Sequence, residues 1–214
     1  MASFSLVHGA WHGGWAWDQV RAELEARGHD VATPDLPCDD PAATIEDYAL
    51  AVPPADVVVG HSLAGHTIAR VQAKVHVYLC ALVPGVDTAG AFLPEFDEAL
   101  VFDDQGRHTL RNAARFLQYP PEAASLATKL RPQFPFARPA VPLSQPSVYI
   151  VCTRDGVVQP DWQRRAAREG LATELIEVDA GHSPMLTHAR ELADIFEQIS
   201  RGRRAQRVED DQPS

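Results

Sequence analysis

Three consecutive valines, Val57, Val58 and Val59, run into Gly60-His61-Ser62-Leu63-Ala64-Gly65, and Thr67, Ile68, Ala69, Arg70 and Val71 follow. β-Branched residues suit an extended, half-buried backbone, and the residues after the serine are compatible with a helix. The stretch therefore predicts a strand, a sharp turn and a helix, with Ser62 on the turn. Such a turn strains the backbone at the serine and lifts its hydroxyl above the sheet. The helix must approach the strand closely, and Gly60 and Ala64 are small enough to allow it. The pattern is G-x-S-x-A-G, with Ala64 where the commoner motif has glycine and Gly65 one step later. An ordinary Gly-Ser turn would look the same, so the meaning of Ser62 rests on its partners.

Two later segments supply them. Val148-Tyr149-Ile150-Val151-Cys152 reads as a strand and ends in Thr153-Arg154-Asp155-Gly156. Leu175-Ile176-Glu177-Val178 reads as another and is followed by Asp179-Ala180-Gly181-His182-Ser183-Pro184. Asp155 and His182 thus each lie just beyond a strand's carboxyl end, where open parallel sheets build their sites. Serine, acid and histidine in that chain order match the arrangement that activates a serine hydroxyl on this kind of turn. Asp87, after the run from Val75 to Ala81, is a competing acid, whereas Asp179 is too close in sequence to reach the Nδ1 of His182. His29, His66, His76, His108 and His188 show no metal-ligand spacing and read as surface or packing residues, so no metal is expected.

The N-terminus completes the constellation. Phe4-Ser5-Leu6-Val7 is a short apolar strand, and His8-Gly9-Ala10-Trp11-His12-Gly13-Gly14-Trp15 follows at once. A tetrahedral intermediate needs two preorganised N–H donors, expected here from Ala10 and from Leu63, the residue after the nucleophile. A phosphate-binding loop is a poor alternative. There is no G-x-G-x-x-G, and no Lys-Ser/Thr follows the glycines.

With these segments in view, the chain resembles the α/β-hydrolase superfamily. Within it, the chain is similar to the group of plant methylesterases, salicylate-binding esterases and hydroxynitrile lyases and their bacterial relatives. The resemblance rests on Leu6 to Trp17, Val59 to Gly65, Tyr78-Leu79-Cys80-Ala81-Leu82-Val83-Pro84, Cys152 to Asp155 and Gly181 to Leu186, and it spans about residues 3 to 200. It implies Ser62, Asp155 and His182 as nucleophile, acid and base, Ala10 and Leu63 as oxyanion donors, a strand order 2-1-3-4-5-6, and no cofactor. The lyases of the group carry lysine where this chain has Ser183 and threonine where it has Gly9, which favours hydrolysis over cyanohydrin cleavage. The superfamily's epoxide hydrolases and haloalkane dehalogenases use aspartate where Ser62 stands.

The remaining sequence agrees with an α/β class. Strands are expected at 3–7, 29–33, 56–60, 75–81, 147–152 and 173–178 with helices between most of them, giving a mostly parallel sheet of about six strands covered on both faces. Trp17, Val20 and Leu24 mark an apolar face on the first helix, and Leu192, Ile195, Phe196 and Ile199 mark one on the last. The core is expected over 1–87 and 144–214, with a charged, disordered tail after about residue 201. Between 88 and 143 the alternation fails. That segment holds Phe92, Phe96, Phe102, Phe116, Tyr119, Phe134 and Phe136 with seven prolines, and reads as a small cap over the site.

A net charge of −10 from 29 acidic and 19 basic residues disfavours nucleic acid and anionic membranes as partners. No signal peptide or membrane span is evident, and three cysteines, Cys38, Cys80 and Cys152, suit a reducing cytoplasm without disulfides. The expected protein is a serine esterase for small to medium apolar esters, acting through an acyl-enzyme, with a homodimer left open. Trp11, His12 and His61 are expected to form the substrate pocket, with few fixed charges around them. The same residues would serve C–C bond or lactone hydrolysis, acyl transfer, or a small-molecule receptor that keeps the triad.

Overall fold

The computed structural model describes residues 1–134, 137–171, 173 and 175–202. Phe136, residue 174 of the last expected strand and the tail from 203 onward lie outside the described residues.

Strand β1 (Ser3–Val7) leads through the Gly-rich loop and a 3-10 turn into helix α1 (Asp18–Glu25), and β2 (Asp30–Ala32) follows. Helix α2 (Ile45–Leu50) opens on a capping box. Thr44 Oγ1 accepts from the Asp47 N–H, and the Asp47 carboxylate accepts from the Thr44 N–H. Next come β3 (Ala55–His61), α3 (Gly65–Ile68) and β4 (Ala73–Leu79). After a long insertion the chain resumes with β7 (Ser147–Cys152), α6 (Pro160–Ala166), β8 (Leu175–Val178), α7 (Pro184–Thr187) and α8 (Ala189–Ser200). The insertion itself holds α4 (Pro94–Ala99), a hairpin of β5 (Leu100–Phe102) and β6 (His108–Leu110), and α5 (Ala113–Phe116).

The main sheet is six-stranded and parallel in the order β2-β1-β3-β4-β7-β8, which is the order 2-1-3-4-5-6 once the hairpin is set aside. Strand side chains alternate between two cores, as a period of two requires. Phe4, Leu6, Val57 and Val59 pack with α1 and α8 through Val20, Leu24, Leu192 and Phe196. Val7, Val58, Tyr78 and Tyr149 pack on the other face with Ile45, Ile68 and Trp162. Both faces are therefore covered, and the free loops gather at the strands' carboxyl ends. Among the described residues no helix is long and apolar enough to cross a membrane.

Two local expectations need correction. The helix after Ser62 is a 3-10 turn (Ser62–Ala64) plus the four residues of α3, because the chain must return to begin β4 at Ala73. The tightest approach in this turn also falls at Gly65 rather than Ala64. A Cβ on Gly65 would lie 1.9 Å from the Leu82 carbonyl oxygen, where the chain leaving β4 crosses the turn. Gly60 is needed as expected, since a Cβ there would meet Ile68 at 2.9 Å.

Candidate active site

Ser62 adopts φ +54°, a left-handed conformation that costs a non-glycine residue energy and is held only when its surroundings over-determine it. The surroundings here are the end of β3 before it, α3 after it, and the Leu82 N–H donating to the Ser62 carbonyl at 2.9 Å. Gly9 lies against the serine, and a Cβ there would sit 2.8 Å from Ser62 Cβ. The position that carries threonine in the lyases therefore has no room for a side chain in this chain.

The hydroxyl of Ser62 meets His182 Nε2 at 3.1 Å, and His182 Nδ1 meets Asp155 Oδ2 at 2.8 Å. Every other contact of Asp155 is also to a donor. Its Oδ1 accepts from the N–H groups of Val157 and Val158 at 2.7 and 2.9 Å, and its Oδ2 from Gln163 Nε2 at 3.0 Å. A carboxylate oxygen that faces only donors takes the Nδ1–H of the imidazole as a further one. That leaves Nε2 with a lone pair aimed at the serine. Asp87 makes no such contact: its carboxylate accepts from the Ala89 N–H at the surface. Asp179 pairs with Arg154.

Gln163 went unnoticed in the sequence because its role depends on how α6 docks. Its amide oxygen accepts from the Cys152 N–H, and its nitrogen reaches Asp155 and the Val158 carbonyl. Ser183 is buried and donates to the Leu117 carbonyl at 2.6 Å, so its hydroxyl is spent away from the serine.

A cavity of about 670 Å³ opens over Ser62. Ala10 and Leu63 line it beside the serine, Leu82 and Val86 line one side, and Phe92, Phe96, Leu100 and His108 of the insertion close over it. Trp11 is in its wall, with Nε1 donating to His108. His12 and His61 are not part of that wall. Both are buried behind the loops, because their ring nitrogens serve the scaffold. His12 Nδ1 donates to the Ala10 carbonyl and its Nε2 accepts from the Tyr119 hydroxyl, while His61 Nε2 donates to the His182 carbonyl. His66 and His108, expected as surface or packing residues, do line the cavity. So do Asp87 and Arg138, both exposed at its rim, so the mouth carries fixed charge that the motif loops did not reveal.

His61, Cys80 and His182 bring ligand-type atoms within 4.8 Å of one another. They do not suit a metal, since both His182 nitrogens and His61 Nε2 are committed to hydrogen bonds. Cys38, Cys80 and Cys152 are all free and buried thiols.

Burial keeps the neighbouring imidazoles neutral. Loss of water pulls His8 down to about 4, His12 to about 3 and His66 to about 4, and it pulls His61 well below the ordinary value. The folded chain then refuses protons that the unfolded chain binds below about pH 6.5, so stability is complete above that pH and falls as pH drops toward 4. Each such ring withdraws about 1.4 kcal/mol per pH unit in that window. His8, His12 and His66 together remove on the order of 6 kcal/mol by pH 5, which corresponds to a Tm lower by about 10 °C or more than at pH 7.5. Differential scanning calorimetry across pH 4 to 8 checks this. A flat Tm from pH 7.5 to 5 would mean that these rings are not held neutral.

With the fold and the site described, similarity to known proteins adds the family. A model of the alpha/beta hydrolase family matches residues 6–195. The chain belongs to the α/β-hydrolase family. It is 26% identical to methylesterase 7 of Arabidopsis thaliana, over 92% of this chain and 95% of that protein. It is 28% identical to salicylic acid-binding protein 2 of Nicotiana tabacum, over 88% of this chain and 93% of that one. Among solved structures it is similar to tomato methylketone synthase I, with a TM-score of 0.77 at 22% identity, covering 94% of this chain and 98% of that one.

Proposed function

We propose that this α/β-hydrolase is a serine carboxylesterase that hydrolyses small to medium apolar esters through an acyl-enzyme. The observation that carries the reading is the continuous chain from Asp155 through His182 to a strained Ser62 at the base of a largely apolar cavity. The esterases to which the chain is similar support the same class of reaction.

Ser62 Oγ attacks the ester carbonyl while His182 Nε2 takes its proton, and Asp155 stabilises the imidazolium that forms. The N–H groups of Ala10 and Leu63 receive the oxyanion. His182 returns the proton to the departing alkoxide. Water, activated by the same nitrogen, then releases the acid. His61 and His12 stay neutral beside the new positive charge, so they add no repulsion to it.

The cavity, as well as the length of the insertion, bears on the substrate range. A short cap suggests that activity rises from acetate to about butyrate and then falls. A volume of about 670 Å³ leaves room beyond butyrate. Each methylene placed against Phe92, Phe96 and Leu100 contributes about 0.8 kcal/mol, roughly a fourfold gain. For p-nitrophenyl esters kcat/KM is therefore expected to climb from acetate through hexanoate before it falls. The test is this ester series, with the acyl-enzyme on Ser62 detected by intact mass. A preference for acetate, or no acyl adduct with any ester, would overturn the reading.

A further inference from the structure

The insertion does more than close over the cavity. Its short helix α5 ends in a Schellman turn, in which the Tyr119 N–H reaches the Ala114 carbonyl at 2.9 Å and the Gln118 N–H the Arg115 carbonyl at 3.2 Å. Such a turn needs a left-handed residue, usually glycine, just past the helix. Here that place holds Gln118 at φ +55°. A turn alone gains nothing from a glutamine in this strained conformation, so the side chain is where the reason lies.

That side chain bridges two loops. Gln118 Oε1 accepts from the Gly156 N–H and from the His182 N–H, both at 2.8 Å, and its Nε2 donates to the Arg154 carbonyl at 2.9 Å. Arg154 and Gly156 flank Asp155, so one amide grips the backbone on either side of the acid and at the base. The His182 loop is shaped to receive it. A Cβ on Gly181 would lie 2.8 Å from Gln118 Cδ. The residues on either side of Gln118 add anchors. The Leu117 carbonyl accepts from Ser183 Oγ, and the Tyr119 hydroxyl donates to His12 in the loop that carries Ala10.

We propose that Gln118 is a positioning residue whose side-chain amide holds the Asp155 loop and the His182 loop at hydrogen-bonding distance from the insertion. The proposal rests on the catalytic roles assigned above to Asp155 and His182. Without the amide, two backbone N–H groups and one carbonyl lose their partner at the place where the acid must meet the base. Misplacement of catalytic groups by about 1 Å costs on the order of 100-fold in rate.

Two variants test it. Gln118→Gly removes the amide's three hydrogen bonds and relieves the left-handed strain, two changes of opposite sign for stability, so its Tm should stay within a few degrees of the parent's. Its kcat should fall by about 10- to 100-fold, with KM changed less than twofold. Gln118→Glu keeps both acceptor bonds and loses only the donation to Arg154. It should recover most of that kcat, and its added negative charge should move the acid limb of the kcat/KM profile to higher pH. The titratable and charged groups already around this point are Asp155, His61, His12 and Cys80, together with the Arg154–Asp179 pair.

The downfield proton resonance of His182 Nδ1–H reports the bond to Asp155 without any substrate. It should be sharp in the parent and in Gln118→Glu, and broadened by exchange in Gln118→Gly. Parent-like kcat and resonance in Gln118→Gly, or no recovery in Gln118→Glu, would overturn the proposal. Should Gln118→Gly not fold, the resonance and the pH limb of Gln118→Glu decide it. If the parent turns over no ester, the esterase reading fails by itself, and the resonance still decides the clamp.

Discussion

Ser62→Ala is expected to lower kcat for p-nitrophenyl butyrate by on the order of 10⁴- to 10⁶-fold, because the groups of a triad act as a unit. Little else should change. The side chain of Ser62 contacts His182 at 3.1 Å, and Ala keeps the same Cβ in the same left-handed turn, so Tm should stay within a few degrees. A fluorophosphonate probe should label the parent at Ser62 and leave the variant unlabelled. His182 and Asp155 remain in place in the variant, and so do the N–H groups of Ala10 and Leu63, so a small residual rate from them is part of the expectation. Retention of a tenth of the parent activity would rule out Ser62 as nucleophile.

Asp155→Asn should cost about 10⁴-fold in kcat, and the hydrogen bonds explain why the isosteric change is so severe. Both carboxylate oxygens face only donors: two backbone N–H groups on Oδ1, and Gln163 with His182 on Oδ2. An asparagine must turn its NH₂ toward one of these pairs. Turned toward His182, it meets Gln163 donor to donor and forces the ring proton onto Nε2, where it can no longer accept from Ser62. Turned toward Val157 and Val158, it strands two buried N–H groups, at about 1–3 kcal/mol each. Asp87→Asn should change kcat by less than about threefold, since that carboxylate is exposed and accepts from Ala89. The opposite ranking of the two variants would move the acid to the loop after β4.

The strand runs were legible because apolar β-branched residues are needed wherever a parallel strand is buried on both faces, and Val57 to Val59 and Val148 to Cys152 meet that need without help from distant residues. The turn at Ser62 was legible for a related reason, since close approach restricts side-chain size locally. The restriction fell on Gly65 because of Leu82, which comes from the far end of β4 and leaves no trace near the motif. His12 and His61 were misjudged as pocket residues for the same kind of reason. Adjacency to a motif says which loop a ring belongs to, but the Ala10 and His182 carbonyls that capture them decide where they point.

The sequence by itself determined the α/β architecture and the loops that carry Ser62, Asp155 and His182. Each of these follows from a local pattern, either the period of burial or a residue type at a strand's end. Tertiary structure alone decided which acid meets the histidine. Asp87 and Asp155 both follow strands, and only the docking of α6 and α5 brings Gln163 and Gln118 to the second. It also decided the size and charge of the cavity, because Phe92, Phe96, His108 and Arg138 reach it from an insertion with no periodic pattern of its own. A hydrogen bond between residues 64 positions apart, such as that from His182 to Gln118, requires two segments to arrive at one place, and no local propensity encodes that arrival.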